Sequence, residues 1–214
     1  NMERLQIDES DLGFAILLFG ISFLISNQIV GRILVPKFGT KQIMTIGIVI
    51  ISLSNIILVS APEYYILLLA HIPAGIGWGS SGPIGGIHAQ LIEKHSGKII
   101  SPYYAMGFNI GIFVGGILAG SILGNEINPT FVFLILFFTS ILVSIIVYIN
   151  GLPKNLDFKG EGEKLKLPKK NVLIFGFLLF VVFGSNGIII DWSALWFTKE
   201  LNAPLYLASL GLIF

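Results

Sequence analysis

The stretch "INPTFVFLILFFTSILVSIIVYINGLP", residues 127–153, contains no lysine, arginine, aspartate or glutamate. A helix needs roughly 20 apolar residues to cross the ~30 Å hydrocarbon layer of a bilayer. A surface helix of a soluble domain instead keeps charge on its outer face. Residues 42–62 and 102–125 are uncharged in the same way. Three such runs in 214 residues exclude a water-soluble core as the source of the pattern. Composition agrees: 54% of residues are hydrophobic and only 12% charged, about half the charge of a typical soluble domain. The expected fold class is therefore an all-α membrane protein, a polytopic bundle of transmembrane helices.

The spans read as about 12–35, 42–61, 64–92, 102–124, 129–150 and 172–198, with a seventh opening near 204. Most connections are short and turn-like, such as "PKFGTK" at 36–41, "APE" at 61–63 and "NEINP" at 125–129. The exception is "GLPKNLDFKGEGEKLKLPKKN" at 151–171, polar, lysine-rich and punctuated by Gly and Pro, which reads as a solvated linker between two bundles. This divides the chain into an N-terminal bundle (1–150) lacking its first helix, the linker (151–171), and the start of a C-terminal bundle (172–214).

Positive charge then orients the spans. Arg32, Lys37, Lys41, Lys94, Lys98 and the six linker lysines fall on one side, and only Arg4 and Lys199 on the other. By the positive-inside rule the 36–41, 93–101 and 151–171 loops are cytoplasmic, with residue 1 outside. That places the protein in the plasma (inner) membrane as a multi-pass protein. The eleven residues from Pro204 to Phe214 would cover ~16 Å as helix, about half a bilayer. A chain continuing beyond both ends is the expectation. The first apolar stretch follows the acidic "DESD" at 8–11, unlike a cleavable signal peptide. There is no cysteine, so neither a disulfide nor a thiolate metal site is available.

Several motifs resemble the major facilitator superfamily, matched from that fold's second helix to the start of its eighth. "GRILVPKFGTK" (31–41) is similar to the superfamily's loop between helices two and three. Gly39 and Lys41 fit that pattern, Lys37 stands for its arginine, Gly31 is one residue upstream, and Pro36 occupies the place of its acidic residue. "LLLAHIPAGIG" (67–77) resembles the helix-four pattern, with His71 at the arginine position and Gly75 and Gly77 in register. "HAQLIEKHSGKIISPYYAMGFNIGIFVGG" (88–116) and "DWSALWF" (191–197) look like a sugar-permease-like branch. The antiporter signature with its Gly-Pro step is absent from 107–124, which leans against drug efflux. The resemblance implies secondary active transport of a small polar organic solute, such as a sugar, by alternating access. It also implies a cytoplasmic gating loop of Gly31, Lys37, Gly39 and Lys41, protons as coupling ions, no cofactor, and a monomer when full length.

Polar side chains at membrane depth cost at least a few kcal/mol, so they normally face a cavity or a partner. His71 reads either as a proton relay or solute contact, or as a packing residue bonded to a backbone carbonyl. Asp191 reads as a coupling or gating residue, as an interfacial partner to water or a cation, or as a packing group. Trp78, Ser81, Asn109 and Asn186 are candidate cavity liners. Trp192 and Trp196 are four apart on one helix face, where an aromatic belt explains them as well as solute stacking does. The glycines of "AGIGWGSSGPIGGI" (74–87) and the four-residue spacing of Gly107, Gly111 and Gly115 suit close helix approach in a bilayer.

Two other functions fit parts of the pattern. A structural or sensor membrane protein would scatter its polar groups with no common cavity. An intramembrane protease is suggested by "GSSG" (79–82) and "AHIPAG" (70–75). However, Ser81 and His71 lie ten residues apart on one helix, ~15 Å along its axis, too far for a nucleophile and its base. No H-E-x-x-H metal site occurs, and nothing in the pattern points to nucleic acid.

Overall fold

The structure, a computed structural model, describes residues 2–125, 127–157 and 169–204, leaving aside the side chains of Met2, Glu3, Leu123, Phe183, Ile190, Asp191 and Ala194. All six expected crossings are helices: α1 (Glu9–Phe38), α2 (Thr40–Ser60), α3 (Tyr64–Ser96), α4 (Ser101–Gly124), α5 (Pro129–Asn150) and α6 (Lys170–Lys199). No strand occurs among the described residues. The seventh segment expected beyond 204 lies outside them, as do residues 158–168 of the linker.

The acidic "DESD" begins α1 as a capping box. The Asp8 carboxylate accepts from the Asp11 amide at 2.8 Å, and the Asp11 carboxylate accepts from the Asp8 amide at 3.4 Å. Two amides that a helix start leaves open are thereby satisfied. At its other end α1 runs further than the sequence suggests. "PKFG" is not simply a turn, because the helix passes through Pro36 to Phe38. A π-helical turn at Val30–Leu34 precedes it, with the Val35 amide donating to the Val30 carbonyl five residues back. Pro36 has no amide to donate, and the wider turn accommodates that loss. The chain finally breaks at Gly39, where φ is +89°.

Among the described residues five helices are long and apolar enough to cross a membrane on length and composition; α3 is not among them. Its glycines, serines, histidines and two internal prolines dilute its hydropathy. Packing supplies the shielding instead, because α3 lies against both α1 and α2, while α5 packs on α2. These four helices belong to one compact unit, Asn1–Pro102 with Pro129–Glu163. A second unit, Tyr103–Asn128 with Lys164–Phe214, holds nearly all of α4 and the whole of α6.

Within the first unit glycine sets the helix spacing. A Cβ on Gly75 would overlap the Phe19 carbonyl oxygen of α1, and one on Gly79 would stand 2.8 Å from that of Phe23. A Cβ on Gly77 would stand 2.6 Å from the Ile51 amide of α2. The backbones of three helices are thus in direct contact, the approach that small residues permit between transmembrane helices. Hydrogen bonds add to it: the Ser26 hydroxyl donates to the Ile76 carbonyl at 3.0 Å, and the Tyr64 hydroxyl donates to the Asp11 carbonyl at 3.0 Å. The glycine ladder of α4 differs, since no described atom lies within 4 Å of a Cβ built on Gly107, Gly111 or Gly115. Small apolar clusters close the unit at its two ends, Ala15 with Ala61 and Leu67, and Val30 with Val35, Ile43 and Ile84.

Candidate functional site

At the lysine-rich end of the first unit the start of α2 needs help from elsewhere in the chain. Gly39 occupies its N-cap position with φ +89° and ψ 158°, a conformation open essentially to glycine. Glycine has no side chain to satisfy the exposed amides of the first turn. The carboxylate comes from 117 residues away: Asp157 Oδ2 accepts from the Thr40 amide at 2.5 Å and from the Thr40 hydroxyl at 2.9 Å. An anion at a helix N-terminus is also favoured by the helix dipole. A Cβ on Gly39 would stand 2.8 Å from the same Oδ2, so glycine is required there twice over.

The chain of contacts continues inward. Thr40 Oγ1 lies 2.8 Å from His88 Nδ1, and His88 Nε2 accepts from the Leu152 amide at 3.3 Å. Because Nε2 accepts, the ring hydrogen sits on Nδ1. The donors then run one way, from the Leu152 amide to His88, from His88 Nδ1–H to Thr40, and from the Thr40 hydroxyl to Asp157. Thr40, His88 and Asp157 are each 5% exposed or less, and burial strengthens such a chain while making any gap in it costly. Two outer contacts reinforce it. The Lys154 ammonium donates to the Lys37 carbonyl. The Lys41 side chain crosses Gly151, where a Cβ would stand 2.8 Å from its Cδ, and its ammonium lies 5.2 Å from the centre of the Tyr148 ring.

A carboxylate, a hydroxyl and an imidazole suggest a nucleophile triad, but the order is wrong for one. In a triad the imidazole stands between hydroxyl and carboxylate and takes the hydroxyl proton. Here the hydroxyl stands in the middle, fully buried, and donates its hydrogen bond to the carboxylate. The arrangement fastens rather than reacts. It ties the root of the linker to the start of α2 and to the end of α3.

A second polar fastening closes the turn after α3. Glu93 accepts from the Ser101 hydroxyl at 2.6 Å and from the Ser101 and Ile100 amides at 3.0 and 3.3 Å. The Ser101 hydroxyl first, then the two amides, hold its carboxyl below the usual carboxylate range.

The expected gating-loop residues thus fall in the same region. Gly39, Lys37 and Lys41 meet the linker root directly. Gly31 stands apart, lining a cavity of about 400 Å³ with Val35, Ile84, Gln90 and Lys94. The membrane-depth candidates divide between the units. On α3, the His71 ring nitrogen Nδ1 lies 2.8 Å from the Leu67 carbonyl, and the Ser81 hydroxyl donates to the Gly77 carbonyl at 2.8 Å. The Trp78 ring lies over Gly82. His71, Trp78 and Ser81 are seven and three residues apart and share one side of α3. Asn109 stands on α4, donating to the Ala105 carbonyl at 3.0 Å, while exposed Asn186 and half-buried Trp192 stand on α6. Asp191 is in α6, its side chain outside the described residues.

The four residues of this fastening, Thr40, His88, Leu152 and Asp157, were absent from the sequence candidates. Residues 151–157 also correct the picture of the linker as a solvated connector, because Asp157 is buried at its root. The signal for it was weak: an acidic residue among lysines, and a helix start with only glycine as cap.

Stacked apolar helices, glycine contacts at backbone distance and a polar clasp outside the hydrocarbon define a polytopic helical-bundle membrane protein. The family model described as the Major Facilitator Superfamily matches residues 1–214, and the chain belongs to that superfamily. It is 26% identical over 200 residues to an uncharacterised MFS-type transporter of Yersinia pestis, covering 91% of this chain and 50% of that protein. It is 27% identical over 123 residues to the quinolone resistance protein NorA of Staphylococcus aureus, covering 55% of this chain and 31% of NorA. The chain therefore spans about half the length of the one relative and about a third of the other. No solved structure matches it.

Proposed function

We propose that the chain serves secondary active transport of a small organic solute across the plasma membrane by alternating access, with its lysine-rich end in the cytoplasm. The observation that carries this reading is α3. It is too polar to count among the apolar crossings, yet α1 and α2 enclose it at backbone distance, leaving the side with His71, Trp78 and Ser81 as a polar stripe at membrane depth. Such a stripe is costly unless it borders a solute path or a partner. In this reading Asn109, Asn186, Asp191 and Trp192 are solute contacts of the second unit, and His71 and Asp191 couple transport to protons. The clasp at Asp157 fastens the root of the linker to the first unit. A small polar solute such as a sugar follows from the permease-like motifs. The match to a protein named for quinolone resistance makes quinolones the second class to test.

The full-length protein in liposomes tests the proposal, with pH-gradient-driven movement of sugars and of quinolones measured separately. Asp191→Asn and His71→Gln are expected to uncouple movement from the gradient, and Trp78→Ala to weaken it. Gradient coupling identical to the parent in both titratable variants would remove their roles. A Glu161→Cys variant in a background free of other cysteines also reports sidedness. A membrane-impermeant maleimide should label it only after the cytoplasmic face is opened.

A further inference from the structure

The clasp contains one group whose bonding role inverts with a single proton. His88 lies 2.8 Å from Thr40 Oγ1 through Nδ1, and through Nε2 it accepts from the Leu152 amide at 3.3 Å. A backbone amide can only donate, so the Leu152 bond requires a bare Nε2. Imidazole is also the side chain whose ordinary titration, near pH 6.5, falls between about pH 5 and 8. Protonation puts a hydrogen on Nε2 and sets two donors against each other. His88 and Leu152 are both buried, so neither donor reaches water unless the chain opens there, and leaving both unmet is costly.

The two ends of the ring respond differently. Nδ1 carries its hydrogen in both states and keeps Thr40. The Thr40 amide and hydroxyl reach Asp157 Oδ2 without passing through the ring, so the cap on α2 does not need a neutral His88. The charges that act on the ring are Asp157 of the linker root and Lys41 of α2, of opposite sign. Other ionisable groups of this end are engaged elsewhere. Lys37 of α1 lies over the Phe38 ring, Lys154 donates to the Lys37 carbonyl, and Tyr148 of α5 meets the Lys41 ammonium. On α3 itself Glu93 holds Ser101, and the His95 ring lies against the Leu91 carbonyl. The proton thus acts on one joint, between α3 and the backbone that leaves α5 at Leu152.

We propose that His88 makes the linker root a pH-sensitive catch: a proton taken up on Nε2 releases Leu152 from α3 while Asp157 stays on the start of α2. In the neutral state the linker root is pinned at two points, to α2 through Asp157 and to α3 through Leu152. The protonated state keeps only the first. The sign follows from the bond that is lost: the catch is complete above the imidazole range and opens as pH falls through it. Acid on the lysine-rich side thereby frees the linker root from the helix that carries His71, Trp78 and Ser81. The catch operates whatever solute is carried, and its test reads no transport.

Amide exchange of the full-length protein in nanodiscs, followed from about pH 8 to about pH 5 and corrected for the intrinsic rate, tests the catch. Leu152 protection should fall about ten-fold per pH unit through the imidazole range, the slope that one proton gives. Thr40 protection should stay level over the same interval. His88→Gln offers an amide oxygen and an amide N–H in place of the two ring nitrogens and takes up no proton, so its Leu152 profile should be flat. Should that variant lose the Leu152 bond, ¹⁵N-labelled histidine in the parent supplies a second measure. The His88 Nε2 signal should pass from bare to protonated over the interval in which Leu152 protection falls. In Asp157→Asn the step at Leu152 should persist, since the ring and not the carboxylate titrates. A level Leu152 profile in the parent, an Nε2 already protonated at about pH 8, a parallel fall at Thr40, or loss of the step in Asp157→Asn would each overturn the proposal.

Discussion

Replacing Asp157 by alanine removes the one carboxylate that caps α2. Two hydrogen bonds to a buried anion are lost, those from the Thr40 amide and hydroxyl. Bonds to charged groups contribute about 1.5–3 kcal/mol each, and they are not additive when they share an acceptor. The helix start also loses its favourable anion, about 0.3–1 kcal/mol, and about 3 kcal/mol in all is the expected cost to the clasp. Amide hydrogen exchange of the full-length protein in nanodiscs reads this locally. The Thr40 amide loses its acceptor outright, so it is not the informative probe. Leu152 is, because its amide bonds His88 rather than Asp157. If the four groups act as one chain, Asp157→Ala should lower Leu152 protection roughly hundred-fold, the factor that about 3 kcal/mol represents. Asp157→Asn, which retains an acceptor oxygen, should cost less than half as much. Combining Asp157→Ala with Thr40→Val should cost less than the sum of the two single changes, since both remove the Thr40 hydroxyl bond. Leu152 protection within about three-fold of the parent in Asp157→Ala would refute the chain and reduce the cluster to separate contacts.

Three further outcomes follow from the geometry. Gly75→Ala and Gly77→Ala put a methyl into the backbone of α1 and α2, so each should lower the thermal midpoint in detergent by an amount matching about 1–3 kcal/mol. Gly31→Ala, with no described atom within 4 Å of its Cβ, should not. Gly39→Ala should cost about 1–3 kcal/mol of backbone strain and also push Asp157 aside, exposing the Leu152 amide to exchange almost as Asp157→Ala does. The Glu93 turn should respond to acid with a definite sign. Its carboxyl is held below the ordinary value by Ser101 and the Ile100 amide, so its contribution is complete at neutral pH and above the ordinary carboxylate range. It is lost only as pH falls through the lowered folded value. Exchange at Ser101 should accelerate there, and Glu93→Gln should remove that acid step.

The crossings were legible because a bilayer leaves few ways to write a span. The span expected at 129–150 inside the charge-free run became α5, and the glycines at 75, 77 and 79 marked the helix that others approach at backbone distance. The end of α1 was misjudged for a local reason. Proline normally ends a helix, but the π turn at Val30–Leu34 lets the helix carry Pro36 and stop at Gly39. The clasp left only a weak signal, because its bonds join residues 48 to 117 positions apart and leave no periodicity in any window. His88 looked like one more polar residue on a glycine-rich helix. Asp157 looked like a solvated acid among lysines. What distinguishes both is burial, which depends on how the helices pack rather than on their neighbours in sequence.

The loop from 31 to 41 carries lysines, glycines and a proline but no acid, although Pro36 occupies the place where the resembling pattern has one. A helix start with a glycine cap and no anion would leave the Thr40 amide open beside a buried hydroxyl. The chain resolves this by bringing the carboxylate back from the far side of α5, so the loop is completed only once the linker root has docked. That dependence runs in both directions. A substitution in the loop at Gly39 displaces Asp157, and a substitution in the linker at Asp157 uncaps α2. Loop and linker, separate in sequence, therefore respond as one mechanical element, and His88 extends that element to the end of α3, the same helix that holds His71, Trp78 and Ser81 at membrane depth.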